Sequence, residues 1–135
     1  MRIVVDSYAW IEIFLGSKKG ETASQEIEDA ELVVTPDTAL AEISRKYLRE
    51  GARENTIRSR LQTISEASEL SHIDESTAIA SGKAYLEMEE KSKKEKIDKP
   101  SLFDAIVLAT ARVNKAKVLT GDPHFRDLPE TLWLG

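Results

Sequence analysis

An α/β domain built on a parallel sheet is what this 135-residue sequence predicts, and three observations carry the prediction. Short apolar runs, Ile3-Val4-Val5, Leu32-Val33-Val34-Thr35 and Val118-Leu119-Thr120, have the length and β-branched content of buried strands. Longer stretches with apolar residues at helical spacing separate them, and strands that alternate with helices imply parallel pairing. Finally, the two strongest strands each run into an aspartate, Asp6 and Asp122, within a residue or two of their ends. In an open parallel sheet that edge is where ligands gather.

The elements follow in order. After the strand Ile3-Val4-Val5, the stretch Tyr8 to Leu15 sets Trp10, Ile11, Phe14 and Leu15 at helical spacing, and Gly16-Ser17 closes it. A second helix is expected from about Glu21 to Ala30. Leu32 to Thr35 is the second strand, stopped by Pro36. Asp37 or Thr38 can cap the next helix, where Leu40, Ile43 and Tyr47 recur before Gly51. Arg53 to Ser68 carries Ile57, Leu61 and Ile64, and Glu69 to Ile73 suggests a third strand. A long helix opens at Asp74 or Ser76 and runs toward Lys96, with Ala80, Ala84 and Met88 along one face. Its lysines suit the negative pole of the helix dipole. Ser101 caps an almost wholly apolar, hence buried, helix ending near Asn114. Lys117 to Thr120 is the fourth strand, and Thr131 to Leu134 suggests an edge strand. With no repeat, linker or low-complexity stretch, residues 1–135 read as one domain.

Composition narrows the function. There is no cysteine, which excludes disulfides, zinc–thiolate sites and thiol nucleophiles and suggests a cytoplasmic protein. No apolar run nears the roughly 20 residues needed to cross a bilayer. A net charge of −5 argues against a protein that coats nucleic acid, but not against an enzyme acting on it. Basic residues do cluster, at Arg45-Lys46, Arg49, Arg53, Arg58 and Arg60 and from Lys91 to Lys99; on composition alone, solvated helix faces are the better account of both clusters.

Four acids occupy the places where apolar segments stop, and each has an ordinary explanation beside the chemical one. Asp6 can cap the first helix. Glu42 can pair with Lys46 one turn on. Asp104 completes the Ser101-x-x-Asp104 pattern of a capping box, yet it begins a helix apolar on nearly every side, where an unpaired carboxylate costs several kcal/mol. Asp122 sits in Thr120-Gly121-Asp122-Pro123, an ordinary turn sequence. Taken together, the four would meet at the carboxyl edge of one sheet. Carboxylates without partner cations repel, so a divalent metal is their natural resident, and a metal-dependent phosphodiesterase is the leading expectation. The two histidines, His72 and His124, read as ordinary surface or loop residues.

Those residues, in that order, resemble the PIN-domain ribonucleases, and the chain length suits the VapC-type toxins of toxin–antitoxin pairs. Val4-Val5-Asp6-Ser7-Tyr8-Ala9-Trp10 is similar to the first motif of the family, and Ala41-Glu42-Ile43 to the second. Ser101-Leu102-Phe103-Asp104-Ala105 resembles the third, and Leu119-Thr120-Gly121-Asp122-Pro123 the last. The resemblance implies a three-layer α/β/α fold with a parallel sheet in the order 3-2-1-4-5, and an acidic pocket binding Mg²⁺ or Mn²⁺. Asp6, Glu42, Asp104 and Asp122 would be its acidic quartet, with Asp6, Asp104 and Asp122 on the metal and Ser7 and Thr120 in support. Glu42 would hold a second metal or orient the attacking water.

The resemblance further implies an RNA substrate, a homodimer and a cognate antitoxin, for which the helices Glu21 to Ala30 and Leu40 to Leu48 form a candidate groove. Two rivals differ in class. Lys99-Pro100 is similar to a step in phospho-receiver signalling domains, but Asp6-Ser7 lacks the adjacent acids such a domain uses, and Ser71-His72-Ile73 lacks its phosphoacceptor. A non-catalytic PIN-like module that binds RNA or protein is the other, although concentrated negative charge facing phosphate does not help a pure binder.

Overall fold

Val4 occupies the middle of the molecule, beside Val34 on one side and Val118 on the other. The computed structural model describes residues 1–135. β1 (Arg2–Val5), β2 (Leu32–Pro36), β3 (Glu69–Ser71), β4 (Lys117–Thr120) and β5 (Thr131–Trp133) form one sheet in the order β3-β2-β1-β4-β5, with every neighbouring pair parallel. The apolar runs of β1 and β4 are buried because helices cover both faces.

Strand alternation divides the core. Ile3, Val5 and Leu119 face α1 (Ser7–Leu15), α2 (Lys18–Asp29), α3 (Thr38–Arg49) and α4 (Glu54–Ala67), which contribute Trp10, Ala23, Ile43, Tyr47, Ile57 and Ile64. Val4, Val34 and Val118 face α5 (Glu75–Glu95) and α6 (Leu102–Val113), which contribute Met88, Ala105, Leu108 and Ala111. The chain therefore steps outward from β1 to β3 beneath one helical layer and returns to β4 beneath the other. The strand order reverses between the neighbours β1 and β4, which opens a crevice at their carboxyl ends.

A buried polar relay ties the first layer to the sheet. The Trp10 indole N–H donates to Thr35 Oγ1 at 3.1 Å, Thr35 lies 2.8 Å from Ser68 Oγ, and Ser68 donates to the Ile64 carbonyl at 2.8 Å. Because Ser68 spends its proton on a carbonyl, it accepts from Thr35, and every member of the relay is satisfied.

The joint between α1 and α2 depends on a missing side chain. A Cβ at Gly20 would stand 2.2 Å from the Glu12 carbonyl oxygen and 2.9 Å from Ile13 Cα. Gly20→Ala is expected to lower stability by about 1–3 kcal/mol, read as a lower urea midpoint at unchanged slope. A wild-type midpoint would show that the two helices part without cost.

Some elements differ from the sequence reading. α2 begins three residues earlier than expected, because the Ser17 side chain accepts from the Gly20 N–H and caps it there. β3 ends at Ser71 rather than Ile73. The inward stripe of α5 is Thr77, Ser81, Ala84, Met88 and Ser92, leaving Ala80 half-buried. Its hydroxyls tolerate burial by donating back along the helix, as Ser81 does to Thr77 at 2.7 Å. α2 and α3 both pack on α1, and a separate groove lies between α3 and α4. Leu48, Ile57 and Leu61 line it, and it encloses about 490 Å³. No helix is long and apolar enough to cross a membrane.

Candidate active site

Four elements bring one carboxylate each to the crevice. Asp6 ends β1 and is 3 % exposed; Asp104 lies in the first turn of α6 and is 9 % exposed. Glu42, from α3, and Asp122, after β4, are half-buried. Asp6 feels the negative charge of Glu42, Asp104 and Asp122, Glu42 that of Asp104 and Asp122, and Asp104 that of Asp122.

The ordinary explanations for these acids turn out to coexist with the cluster. Asp6 caps α1 by accepting the Ser7 N–H at 2.9 Å through Oδ1, while Oδ2 accepts from the Thr120 hydroxyl at 2.7 Å. Asp104 makes the capping box with Ser101: its Oδ2 accepts the Ser101 N–H at 2.9 Å, and the Ser101 hydroxyl accepts the Asp104 N–H at 3.1 Å. Asp122 accepts the His124 N–H at 2.9 Å and so caps the 3₁₀ turn Pro123–Phe125. A cap fixes the direction of a carboxylate without using all its lone pairs, which is what a rigid ligand set needs. The Glu42–Lys46 pair alone does not form, since Lys46 pairs with Glu50 at 2.8 Å.

The electrostatics register the crowding. Burial drives the Asp6 pKa from 3.8 up to about 7; the Thr120 hydrogen bond opposes this, and Glu42, Asp104 and Asp122 add to it. Glu42 is also raised, first by burial and then by Asp104 and Asp122, with the Ser7 side chain and Arg45 opposing. Burial likewise raises Asp104, with Asp122 adding to it, against the Ser101 hydrogen bonds and His124. No lysine or arginine forms an ion pair with any of the four.

The basic group that does reach the cluster is His124, where its sequence context suggests only an ordinary surface or loop residue. Its Nε2 lies 2.8 Å from the Asp98 carbonyl, and its Nδ1 lies 2.9 Å from Asp122 Oδ1 and 3.8 Å from Asp104. A carbonyl only accepts, and so does an ionised carboxylate, so both ring nitrogens carry protons when Asp122 is charged. Burial lowers the His124 pKa, but the hydrogen bonds to Asp98 and Asp122 and the charges of Asp122 and Asp104 outweigh it, and the net shift is upward. The available signal was the spacing Asp122-Pro123-His124: a capped turn with proline at its start folds residue 124 back onto the capping acid.

Asp104, Asp122 and His124 each present a ligand atom, all within 4.8 Å of one another. In its protonated form the ring serves as a counter-charge, not a ligand. The oxygen-rich remainder, short of cations and destabilised when charged, fits a hard divalent ion.

The sequence profile of the PIN domain matches residues 3–131. The chain belongs to the PIN-domain family. No curated protein matches it by sequence. Among solved structures, this PIN domain is similar to a chain of a toxin–antitoxin complex from Klebsiella pneumoniae, at 18% identity and a TM-score of 0.70 over 98% of both chains. It is also similar to VapBC2 from Rickettsia felis bound to a DNA fragment from its promoter, at 14% identity and a TM-score of 0.70 over 98% of this chain and 97% of that one. A third likeness is to VapC20 of Mycobacterium tuberculosis, a toxin that cleaves the sarcin–ricin loop, at 17% identity and a TM-score of 0.66 over 91% and 92% of the two chains. At these identities the likeness establishes the shared fold, and the sheet order agrees with it.

Proposed function

We propose that this PIN domain is a metal-dependent endoribonuclease and the toxin of a toxin–antitoxin pair, acting in the cytoplasm and restrained by a cognate antitoxin protein. The observation that carries the catalytic half is the convergence of four carboxylates, from four separate elements, on the crevice between β1 and β4. The likeness to chains of toxin–antitoxin assemblies supports the second half.

Asp6, Asp104 and Asp122 would hold Mg²⁺ or Mn²⁺. Such a cation supplies an acidified water and offsets the charge that builds on the phosphate. The chain's own groups do the rest. The Thr120 hydroxyl fixes Asp6, and Ser101 fixes Asp104, so neither carboxylate needs to reorganise on binding. Glu42 is half-buried and burial raises its pKa from the ordinary value, which suits it to take the proton of the attacking water. His124 holds Asp122 in place.

Purified protein incubated with an end-labelled RNA pool of randomised sequence tests this reading. Internal cleavage is expected with Mn²⁺ or Mg²⁺ and should disappear with chelator. Intact RNA under every metal condition would sink the catalytic half and favour a module that binds without cutting.

A further inference from the structure

The acidic crevice that suits a cation repels the phosphates on either side of the scissile one, so the nuclease reading, on which this inference rests, requires a fixed positive group at the rim. Arg45 stands there. It lies three residues after Glu42 on α3, hence on the same face of the helix, and Glu42 feels its charge. Its guanidinium sits over the Phe103 ring, 5.9 Å from the centroid. Phe103 immediately precedes Asp104 in the first turn of α6. α3 and α6 belong to opposite helical layers, so this stacking contact bridges the crevice at its open edge.

What Arg45 leaves undone is as telling as what it touches. Some arginines spend N–H groups inside the protein, Arg58 on Glu54, Arg112 on Glu130 and Glu87, and Arg2 on the Asn114 carbonyl. Arg60 and Arg126 lie over aromatic rings as Arg45 does, Arg60 over Phe14 and Tyr47 and Arg126 over Trp133. Arg45 is exposed and forms neither a hydrogen bond nor an ion pair, although Glu42 is on its own helix face. An aromatic ring orients a guanidinium without consuming its donors, and a planar fork with five free N–H groups matches two phosphate oxygens at once.

The geometry points to Arg45, held on Phe103, as the residue that grips an RNA phosphate next to the cut and so offsets the repulsion of the acidic site. Its contribution is to substrate binding, with the carboxylates left to the bond-breaking step.

Steady-state cleavage of a labelled single-stranded RNA of randomised sequence, with Mn²⁺ and over a salt series, tests the assignment in wild type, Arg45→Ala, Arg45→Lys and Arg58→Ala. Arg45→Ala is expected to raise KM roughly tenfold with kcat within about threefold, and to flatten the salt dependence by about 0.7 in logarithmic slope for the one lost phosphate contact. Arg45→Lys keeps the charge but not the fork, and should fall between. Arg58→Ala removes the same charge far from the crevice and should match wild type. Wild-type KM and salt slope in Arg45→Ala would overturn the inference while leaving the nuclease intact, and an equal loss in Arg58→Ala would reduce it to net charge. If the wild type itself cuts no RNA, the nuclease reading fails and this assignment falls with it.

Discussion

Asp6→Asn is expected to slow RNA cleavage by at least about a thousandfold while the protein stays folded. Asparagine has the shape of aspartate, and its side-chain oxygen can still accept the Thr120 hydroxyl that Asp6 holds at 2.7 Å. It lacks the charge, and that matters because Asp6 is the most buried of the four acids and sits at the end of the central strand. Under the proposed function, loss of a charged oxygen at the deepest point would remove both a metal ligand and the field that organises the others. Single-turnover cleavage beside the wild type, with thermal unfolding as a control for folding, measures it. A folded Asp6→Asn protein that cuts at the wild-type rate would falsify the assignment of Asp6 to the site.

The second large effect concerns stability without metal. Asp6 holds its proton up to about pH 7 in the folded protein against 3.8 ordinarily, a difference of about 4 kcal/mol against the charged form. The folded state therefore binds more protons than the unfolded chain between those values, and stability falls as pH rises through that window. Glu42 and Asp104 shift in the same direction. So does His124, whose raised pKa gives stability that is present at low pH and lost as the ring deprotonates. In chelator, Tm is expected to drop on the order of 10 °C between pH 5 and pH 8. Mn²⁺ should restore it, with about 2.7 kcal/mol gained at a hundredfold excess over Kd. In Asp6→Asn, most of the pH dependence and of the Mn²⁺ effect should disappear. A flat Tm in chelator, unmoved by Mn²⁺, would mean that the carboxylates do not crowd one another as described.

Much of the fold was legible because it rests on local signals. The runs Ile3-Val4-Val5 and Val118-Leu119-Thr120 are short and unbroken because both of their faces are covered, so they read as central strands without any partner in view. Ser101 and Asp104 mark the start of α6 because both ends of a capping box lie within one turn. Weaker elements misled where the deciding contact was less regular. Ser17 caps α2 from within what reads as the end of α1, and the Thr77–Ser81 stripe is polar yet buried because its hydroxyls are satisfied along their own helix.

At the candidate site, the sequence by itself singled out the four acids, Asp6, Glu42, Asp104 and Asp122, together with their elements, because a carboxylate at the end of an apolar segment is a local departure from pattern. Only the tertiary structure decided how those acids behave. The hydroxyl that holds Asp6 belongs to Thr120, 114 residues away, the counter-charge at Asp104 and Asp122 is His124 locked on the Asp98 carbonyl, and the free guanidinium at the rim is Arg45 resting on Phe103. Burial, charge repulsion and hydrogen bonding act across a few ångströms of space, and no spacing along the chain encodes which distant groups will share those ångströms.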